Sequence, residues 1–556
     1  MKRYLWLVAT LLLIIPTFFS MLKPGIQNIQ DNMQYFRIYE MEKCVLDGQI
    51  PCRWVPDMGY GFGYPLYLYY SPGPYYLGLM FHSLGFQYVD CVKILFILGF
   101  IVSAIGVYWL ILTLMSSPKT AFIGTLLYIY APVRAVQVYV RGSLGEFLAM
   151  AIFPFLFLFS YRIIKDLGKN NVFWLGLSLA MMLLTHNLMT VAIMPVLFIW
   201  SVYLAFMDDK LKKLVDILWG ILLGVGLSAF YVLPLIFERQ YVHLESMTGG
   251  YFDYRQHFVN LYQLFISNHW GYGSSQLGPN DDLSLSVGVV QWVLALASVI
   301  LGLFNYKKSS KNLGIIMLLS GISLFLMFLM HEKSSFIWSS LSFLAMFQFP
   351  WRFLVVCAFL LSILGSFAIN NFKGLIKSII IGMVTIWLLV TYSNNFRPQI
   401  WSKISDAELL SGKEFVKQQT ASIFDYLPKS ATLPPNYEAP LVPEILGGEA
   451  RIGKYDKGSN WQEGEIDVIS DTAKIRVPMF DFLGMKVIDN GKNINFGHTD
   501  CRLQPYCFGQ ISFDLDKGAH QIKIRLGKTW PRVLGDILSL FSIFGIIVFV
   551  FKKYEN

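Results

Sequence analysis

Residues 91–115 read CVKILFILGFIVSAIGVYWLILTLM, a run with Lys93 as its one charge and no polar stripe at helical spacing. At about 1.5 Å per residue such a helix covers the roughly 30 Å of hydrocarbon in a bilayer. A helix also satisfies its own backbone hydrogen bonds, which lipid cannot do for it. The stretch therefore reads as a transmembrane helix, and the rest of the chain repeats the pattern. Apolar runs recur near 4–22, 119–133, 146–164, 172–186, 188–206, 214–236, 285–304, 313–331, 351–371, 378–393 and 535–551. The expected fold is a polytopic α-helical membrane protein of about twelve transmembrane helices.

Composition agrees, since 55% of the 556 residues are hydrophobic, 16% aromatic and only 15% charged. A soluble domain has no interior able to absorb that share of apolar side chains. The formal charge of +9 does not point to nucleic acid, because the Lys and Arg residues gather in no basic face or RNA-binding motif. They track topology instead. With the N-terminus taken as cytoplasmic, the inner turns hold Lys165 with Lys169, Lys210 with Lys212 and Lys213, and Lys373 with Lys377, as the orientation rule requires. Both termini are then cytoplasmic. The first run follows Lys2 and Arg3 and shows no small-x-small cleavage site before Lys23, so it is expected to stay as an anchor.

Three larger polar pieces face the other side. Residues 1–393 form the transmembrane part with outer loops at 23–90 and 237–284, residues 394–534 a separate extracytoplasmic domain, and residues 535–556 the final helix and its tail. In the domain, Ala473–Pro478, Met485–Asp489, Gln510–Asp514 and Gln521–Arg525 are strand-like and are punctuated by turn signals such as Asp489-Asn490-Gly491 and Lys517-Gly518. The expectation is a β-sandwich-like domain. Cys44 with Cys52, and Cys501 with Cys507, lie close in sequence within outer pieces. An oxidising compartment permits both pairs to bridge, and free thiols are the alternative.

Chemistry has few places to reside. No HxH or HExxH zinc spacing, Walker A loop, GxGxxG fingerprint or GxSxG elbow occurs. Asp31 lies just beyond the first helix in Gln30-Asp31-Asn32-Met33. A carboxylate held there can take a proton from an acceptor hydroxyl or bind a divalent cation such as Mg or Mn; the plainer reading is a solvated helix cap. The stretch 53–65 (RWVPDMGYGFGYP) joins a second carboxylate, Asp57, to the aromatics Trp54, Tyr60 and Tyr64. Such rings stack on sugars, or form an interfacial belt. Arg134, Arg141 and Arg352 face outward against the orientation rule, with Glu146 and Trp351 beside them in sequence. Guanidinium forks suit phosphate oxygens, whereas lipid headgroup contacts or an Arg141–Glu146 ion pair are the alternatives. His186 sits in the turn Thr185-His186-Asn187, and the loop 238–284 carries Tyr251, Asp253, Arg255, His257, His269 and Trp270.

Asp31 through Met41 with Gly48, Pro51 and Arg53-Trp54, Arg141-Gly142-Ser143-Leu144-Gly145-Glu146, Gln348-Phe349-Pro350-Trp351-Arg352-Phe353, and the ending Gly518-Ala519-His520 through Gly535-Asp536-Ile537 together resemble the type-C glycosyltransferase superfamily. The resemblance is to its bacterial membrane proteins labelled 6-pyruvoyl-tetrahydropterin-synthase-related, and it spans nearly the whole chain. It implies an enzyme of the bacterial cytoplasmic membrane that moves a sugar from a polyprenyl-phosphate donor to an envelope glycan, lipid or protein acceptor on the extracytoplasmic face, with inversion. It places Asp31 as the catalytic acidic residue, with Asp57 as a second carboxylate. Arg141, Arg352 and Arg134 become the donor-phosphate ligands. Glu146, Trp54, Tyr60, Tyr64, His186, His257, His269 and Trp351 become the substrate lining. Asn32 departs from the Asp-Glu pair of related transferases, which puts metal dependence in doubt. A flippase for lipid-linked glycans, or a scaffold without catalysis, uses the same outer residues. A transporter would add ionisable groups at mid-membrane and matching halves, neither of which the sequence displays.

Overall fold

The computed structural model describes residues 2–276, 281–305, 310–498 and 507–555. Among them seven helices are long and apolar enough to cross a membrane: Tyr88–Met115, Leu144–Ile164, Asn187–Met207, Ser310–Met330, Pro350–Asn370, Gly374–Asn395 and Trp530–Val548. The protein is thus a multi-pass membrane protein. Two further helix pairs raise the count to nine if each is one span: Pro118–Ile129 with Pro132–Arg141, bent by 52°, and Lys213–Leu227 with Ala229–Tyr241, bent by 78°. The twelve expected crossings are therefore not all full-length helices. The first ends at Leu13, where Pro16 enters a 3₁₀ turn, because proline lacks the amide that would continue the ladder. Asn171–Thr185 and Val289–Phe304 are apolar but shorter than a full span.

The chain divides into two compact units, each assembled from segments far apart in sequence. The first comprises Met1–Asn32, Val89–Val225 and Thr248–Ile404. Its core helix is Leu354–Asn370, in which every side chain from Leu354 to Ile369 is buried. Helix Pro118–Ile129 crosses it closely at Gly124, where an added Cβ would stand 2.0 Å from Ser366 Oγ. Small residues at such crossings let backbones approach, and that contact replaces the hydrophobic drive that lipid removes. A two-residue strand, β1 (Ile26–Gln27), pairs antiparallel with β2 (Trp401–Ser402).

The second unit comprises Met33–Tyr88, Gly226–Met247 and Ser405–Asn556. Its sheet holds β3 (Glu444–Gly447), β4 (Ala450–Lys457), β5 (Trp461–Phe480), β6 (Met485–Asp489), β7 (Lys492–Ile494) and β8 (Gln510–Leu526). Their order is β3-β5-β8-β6-β7, with β4 also on β5, all antiparallel. Among the described residues these strands form one six-stranded sheet and not the two packed sheets of the expected sandwich. The reason lies at Lys517-Gly518. This turn signal does not end a strand. Gly518, at φ +134°, pairs with Val468, and Asp516 with Thr472, so β5 bulges there and both strands run on. Alternate β5 residues are buried on each side of the bulge, Ile466 and Val468 before it and Ile475 and Val477 after it.

The aromatic run of the first loop forms core in this unit. Trp54, Tyr64, Tyr67, Tyr69 and Tyr75 are each 2% exposed or less. Tyr64 Oη donates to the Ser422 carbonyl at 3.1 Å and accepts from the Tyr426 amide at 2.6 Å. Cys44 and Cys52 are joined by a disulfide, with Cα atoms 5.5 Å apart. Cys501, the expected partner of Cys507, lies outside the described residues.

Candidate active site

Within the first unit, the chain just after the anchor helix runs along residues 138–141. Gln27 Nε2 donates to the Val138 carbonyl at 2.9 Å, the Gln30 amide to Val140 at 3.0 Å, and the Asp31 amide to Arg141 at 2.9 Å. Val136–Arg141 is a turn of π-helix ended by Gly142 at φ +66°. Glycine is required there twice over. The left-handed backbone suits it, and a Cβ would stand 2.3 Å from the Ile29 side chain. The motif Arg141-Gly142 thus seats Asp31, which is half-buried, beside Arg141. π-turns of this kind recur at functional positions.

Arg141 joins a buried ionic cluster centred on Glu146, the acid in the first turn of Leu144–Ile164. Its Nη1 donates to Glu146 Oε2 at 2.7 Å and its Nη2 to Oε1 at 3.0 Å, a two-pronged contact. Arg352 Nε donates to the same Oε1 at 2.9 Å, while its Nη1 is held by the Phe347 carbonyl at 2.6 Å and Gln348 Oε1 at 2.9 Å. Gln137 bridges the set, donating to Glu146 Oε2 at 2.8 Å and accepting from Arg141 at 2.6 Å. Two cations thus share one carboxylate. The Glu146 side chain is 1% exposed, and those of Arg141 and Arg352 are 12% and 9%. Aromatic faces carry both arginines, with Arg141 4.8 Å from the Trp351 centroid and Arg352 5.0 Å from that of Phe349.

His186 reaches the cluster from the turn expected in the sequence. Its Nδ1 accepts from the Met189 amide at 3.2 Å and caps Asn187–Met207, and its Nε2 lies 4.0 Å from Glu146 Oε1. The approach depends on Gly145, where a Cβ would meet the Thr185 carbonyl at 2.9 Å. His257 is placed differently, in a buried chain that ties its loop to the Trp351 segment. Trp351 Nε1 donates to Ser275 Oγ at 3.1 Å. His257 Nδ1 bonds Ser275 Oγ at 2.7 Å, and its Nε2 bonds the Tyr251 carbonyl at 2.5 Å. The carbonyl can only accept, so Nε2 carries the proton and Nδ1 accepts from the serine. Burial pushes this imidazole below the ordinary histidine range. Gln30 Nε2 also reaches the loop, donating to the Gly273 carbonyl at 3.0 Å. Residues 277–280 of the loop lie outside the described residues.

The other expected site residues lie elsewhere. Arg134 is 0% exposed, caged by the rings of Phe100, Tyr128 and Phe147 and bonded to Ser103 Oγ at 2.9 Å. Its contacts are those of a core side chain and not of a phosphate ligand. His269 is exposed. Asp57, Trp54, Tyr60 and Tyr64 belong to the second unit, where Asp57 pairs with Lys43 at 2.5 Å. Among the described residues no three His, Cys, Asp or Glu side chains converge in a set fit to hold a metal ion. Sequence reasoning missed Gln137, Gln348, Gly142 and Gly145. The two glycines were signalled by their place in the Arg141–Glu146 motif and Gln348 by its place in the Gln348–Phe353 motif, Gln137 by nothing but proximity in sequence to Arg141.

No protein-family profile matches the sequence, and no curated protein matches it either. Among solved structures, the arabinofuranosyltransferase AftD from Mycobacteria aligns at 12% identity and a TM-score of 0.47, over 72% of this chain and 28% of that one. The archaeal oligosaccharyltransferase AglB from Archaeoglobus fulgidus, in complex with an inhibitory peptide and a dolichol-phosphate, aligns at 12% identity and a TM-score of 0.38, over 71% of this chain and 55% of that one. The aligned part spans less than two thirds of either neighbour's length.

Proposed function

We propose that this protein is an inverting membrane glycosyltransferase that moves a sugar from a polyprenyl-phosphate donor to an envelope glycan, lipid or protein acceptor on the extracytoplasmic side. The observation carrying this reading is the bond from the Asp31 amide to the Arg141 carbonyl, which seats the Asp31 carboxylate next to the Arg141–Glu146–Arg352 cluster. Asp31 takes the proton of the acceptor hydroxyl as the oxygen attacks the anomeric carbon. The anomeric C–O bond breaks, and its electron pair leaves on the polyprenyl phosphate. Arg141 and Arg352, held rigid by Glu146, Gln137 and Gln348, stabilise that leaving phosphate. A single displacement inverts the anomeric centre. The basic inner turns support the orientation, with both termini cytoplasmic.

The test is transfer from a synthetic polyprenyl-phosphate sugar by the full chain in proteoliposomes. Asp31→Asn is expected to lower the rate by about 10²-fold or more, the usual contribution of a positioned base, while thermal unfolding is unchanged. Undiminished transfer by Asp31→Asn overturns the assignment. Movement of the intact lipid without bond cleavage replaces it with the flippase reading.

A further inference from the structure

The first unit carries a second charged group at the far ends of the helices that hold the Arg141–Arg352 cluster. The span Pro350–Asn370 has Arg352 near its start and Asn370 at its finish, and the bent pair ending at Arg141 begins beside Lys119. At about 1.5 Å per residue the two groups stand roughly a bilayer's hydrocarbon thickness apart. Three helix ends meet at this second place: the starts of Pro118–Ile129 and Gly374–Tyr392, and the finish of Leu354–Asn370. Lys119 Nζ donates to Ser378 Oγ at 2.7 Å, and Lys377 Nζ donates to Ser117 Oγ and Asn370 Oδ1, both at 3.0 Å. Each lysine thus bonds a hydroxyl that neighbours the other lysine in sequence, which draws the two cations together. Lys377 is 8% exposed. Lys119 is half-buried, with its Nζ 6.0 Å from the Trp6 ring centroid.

No counter-charge accompanies this pair. Every acceptor it meets is a neutral hydroxyl or amide, and residues 2–13, 115–121 and 370–378, which build the place, contain no Asp or Glu. Elsewhere in the unit the lysines Lys165, Lys210, Lys213 and Lys311 each meet Asp166 or Asp208. Two helix N-termini add positive partial charge here, offset only in part by the C-terminus at Asn370. Two ammonium groups withdrawn from water without an anion repel each other and lose hydration. An ammonium has three donors, of which Lys377 uses two and Lys119 one, so donors remain for an incoming oxyanion. The same helix supplies an apolar flank. Leu375 and Ile379, one turn apart beside Lys377, are 76% and 52% exposed, and on a membrane span such side chains meet acyl chains. We infer that Lys119 and Lys377 form a site for the phosphate headgroup of an anionic phospholipid, with its acyl chains along Leu375 and Ile379. The site is separate from the Asp31 chemistry and stands whether or not the transferase reading holds.

The full chain in lipid nanodiscs would be labelled by reductive methylation, with each lysine read by mass spectrometry. The settings compared are phosphatidylcholine alone, phosphatidylcholine mixed with phosphatidylglycerol, and phosphatidylcholine with millimolar inorganic phosphate. Phosphatidylglycerol is expected to slow labelling of Lys119 about tenfold or more relative to Lys212, an exposed lysine of another inner turn. This readout uses the parent protein, so it decides the matter even where a variant misfolds. In neutral detergent, native mass spectrometry is expected to show phosphatidylglycerol retained in preference to phosphatidylcholine. The double change Lys119→Gln with Lys377→Gln is expected to weaken that retention about tenfold or more. Lys119 labelled equally fast with and without phosphatidylglycerol, or undiminished retention by a folded double variant, overturns the inference. Equal slowing by inorganic phosphate overturns it as well, since the site then takes a free anion and not a lipid.

Discussion

Glu146 holds two arginines whose backbones come from distant parts of the sequence, and its removal leaves both without their shared acceptor. Breaking a buried pair by deleting one partner costs about 3–5 kcal/mol. Glu146→Ala is expected to lower unfolding stability by about that amount and transfer by about 10²-fold or more, since misplaced ligands lose orientation. Thermal unfolding beside the transfer assay checks it, and a variant as stable and active as the parent refutes the cluster's role. At this scale the sequence was partly legible. Arg141 and Arg352 stood out because the orientation rule opposes them, and the local Arg141–Glu146 pair was among the readings weighed. The sharing of Glu146 with Arg352 was not, because nothing local couples positions so far apart. Arg134 obeyed the same charge argument and still turned into an aromatic cage, since charge bias gives the side of the membrane and not the direction of a side chain.

The loop that follows Thr248 is held by the Trp351–Ser275–His257–Tyr251 chain, which requires a neutral imidazole to accept from Ser275. Its folded pKa lies below the ordinary value of about 6.5. Stability from this contact is therefore complete above about pH 6.5 and is lost as pH falls towards the folded value. Hydrogen-exchange protection in residues 251–276, corrected for the intrinsic pH dependence of amide exchange, is expected to fall from pH 7.5 to pH 5, and His257→Asn to abolish that dependence. Equal protection at both pH values in the parent protein refutes it. Element boundaries in the sequence were clearest where apolar runs were long. They failed at Lys517-Gly518, where a turn signal became a bulge, and at Ser228, where an unbroken apolar run conceals a 78° bend. Hydropathy measures the solvent of a residue, and says nothing of the direction of its axis.

In the second unit the final helix is fastened by a fully buried pair. Arg532 Nε and Nη2 donate to Glu238 Oε2 at 3.0 and 2.8 Å, Thr529 also bonds Glu238, and the remaining donors of Arg532 reach the Gly527 and Leu483 carbonyls at 2.9 and 3.1 Å. Glu238→Ala is expected to cost about 3–5 kcal/mol, whereas the double change Glu238→Met with Arg532→Met costs far less, because no lone charge stays buried. Unfolding midpoints of the three proteins decide it. A double variant no better than the single one refutes the pairing account. In sequence Glu238 simply follows the apolar run 214–236, and its partner lies in another segment of the unit.

The same discontinuity bears on biosynthesis. Residues 33–88 leave the ribosome long before residues 405–556, yet they share one compact unit. At about 5–20 residues per second, Trp54, Tyr64 and their neighbours must wait tens of seconds for the strands and final helix that cover them. During that interval the apolar side chains of this segment lack the cover they have in the finished unit.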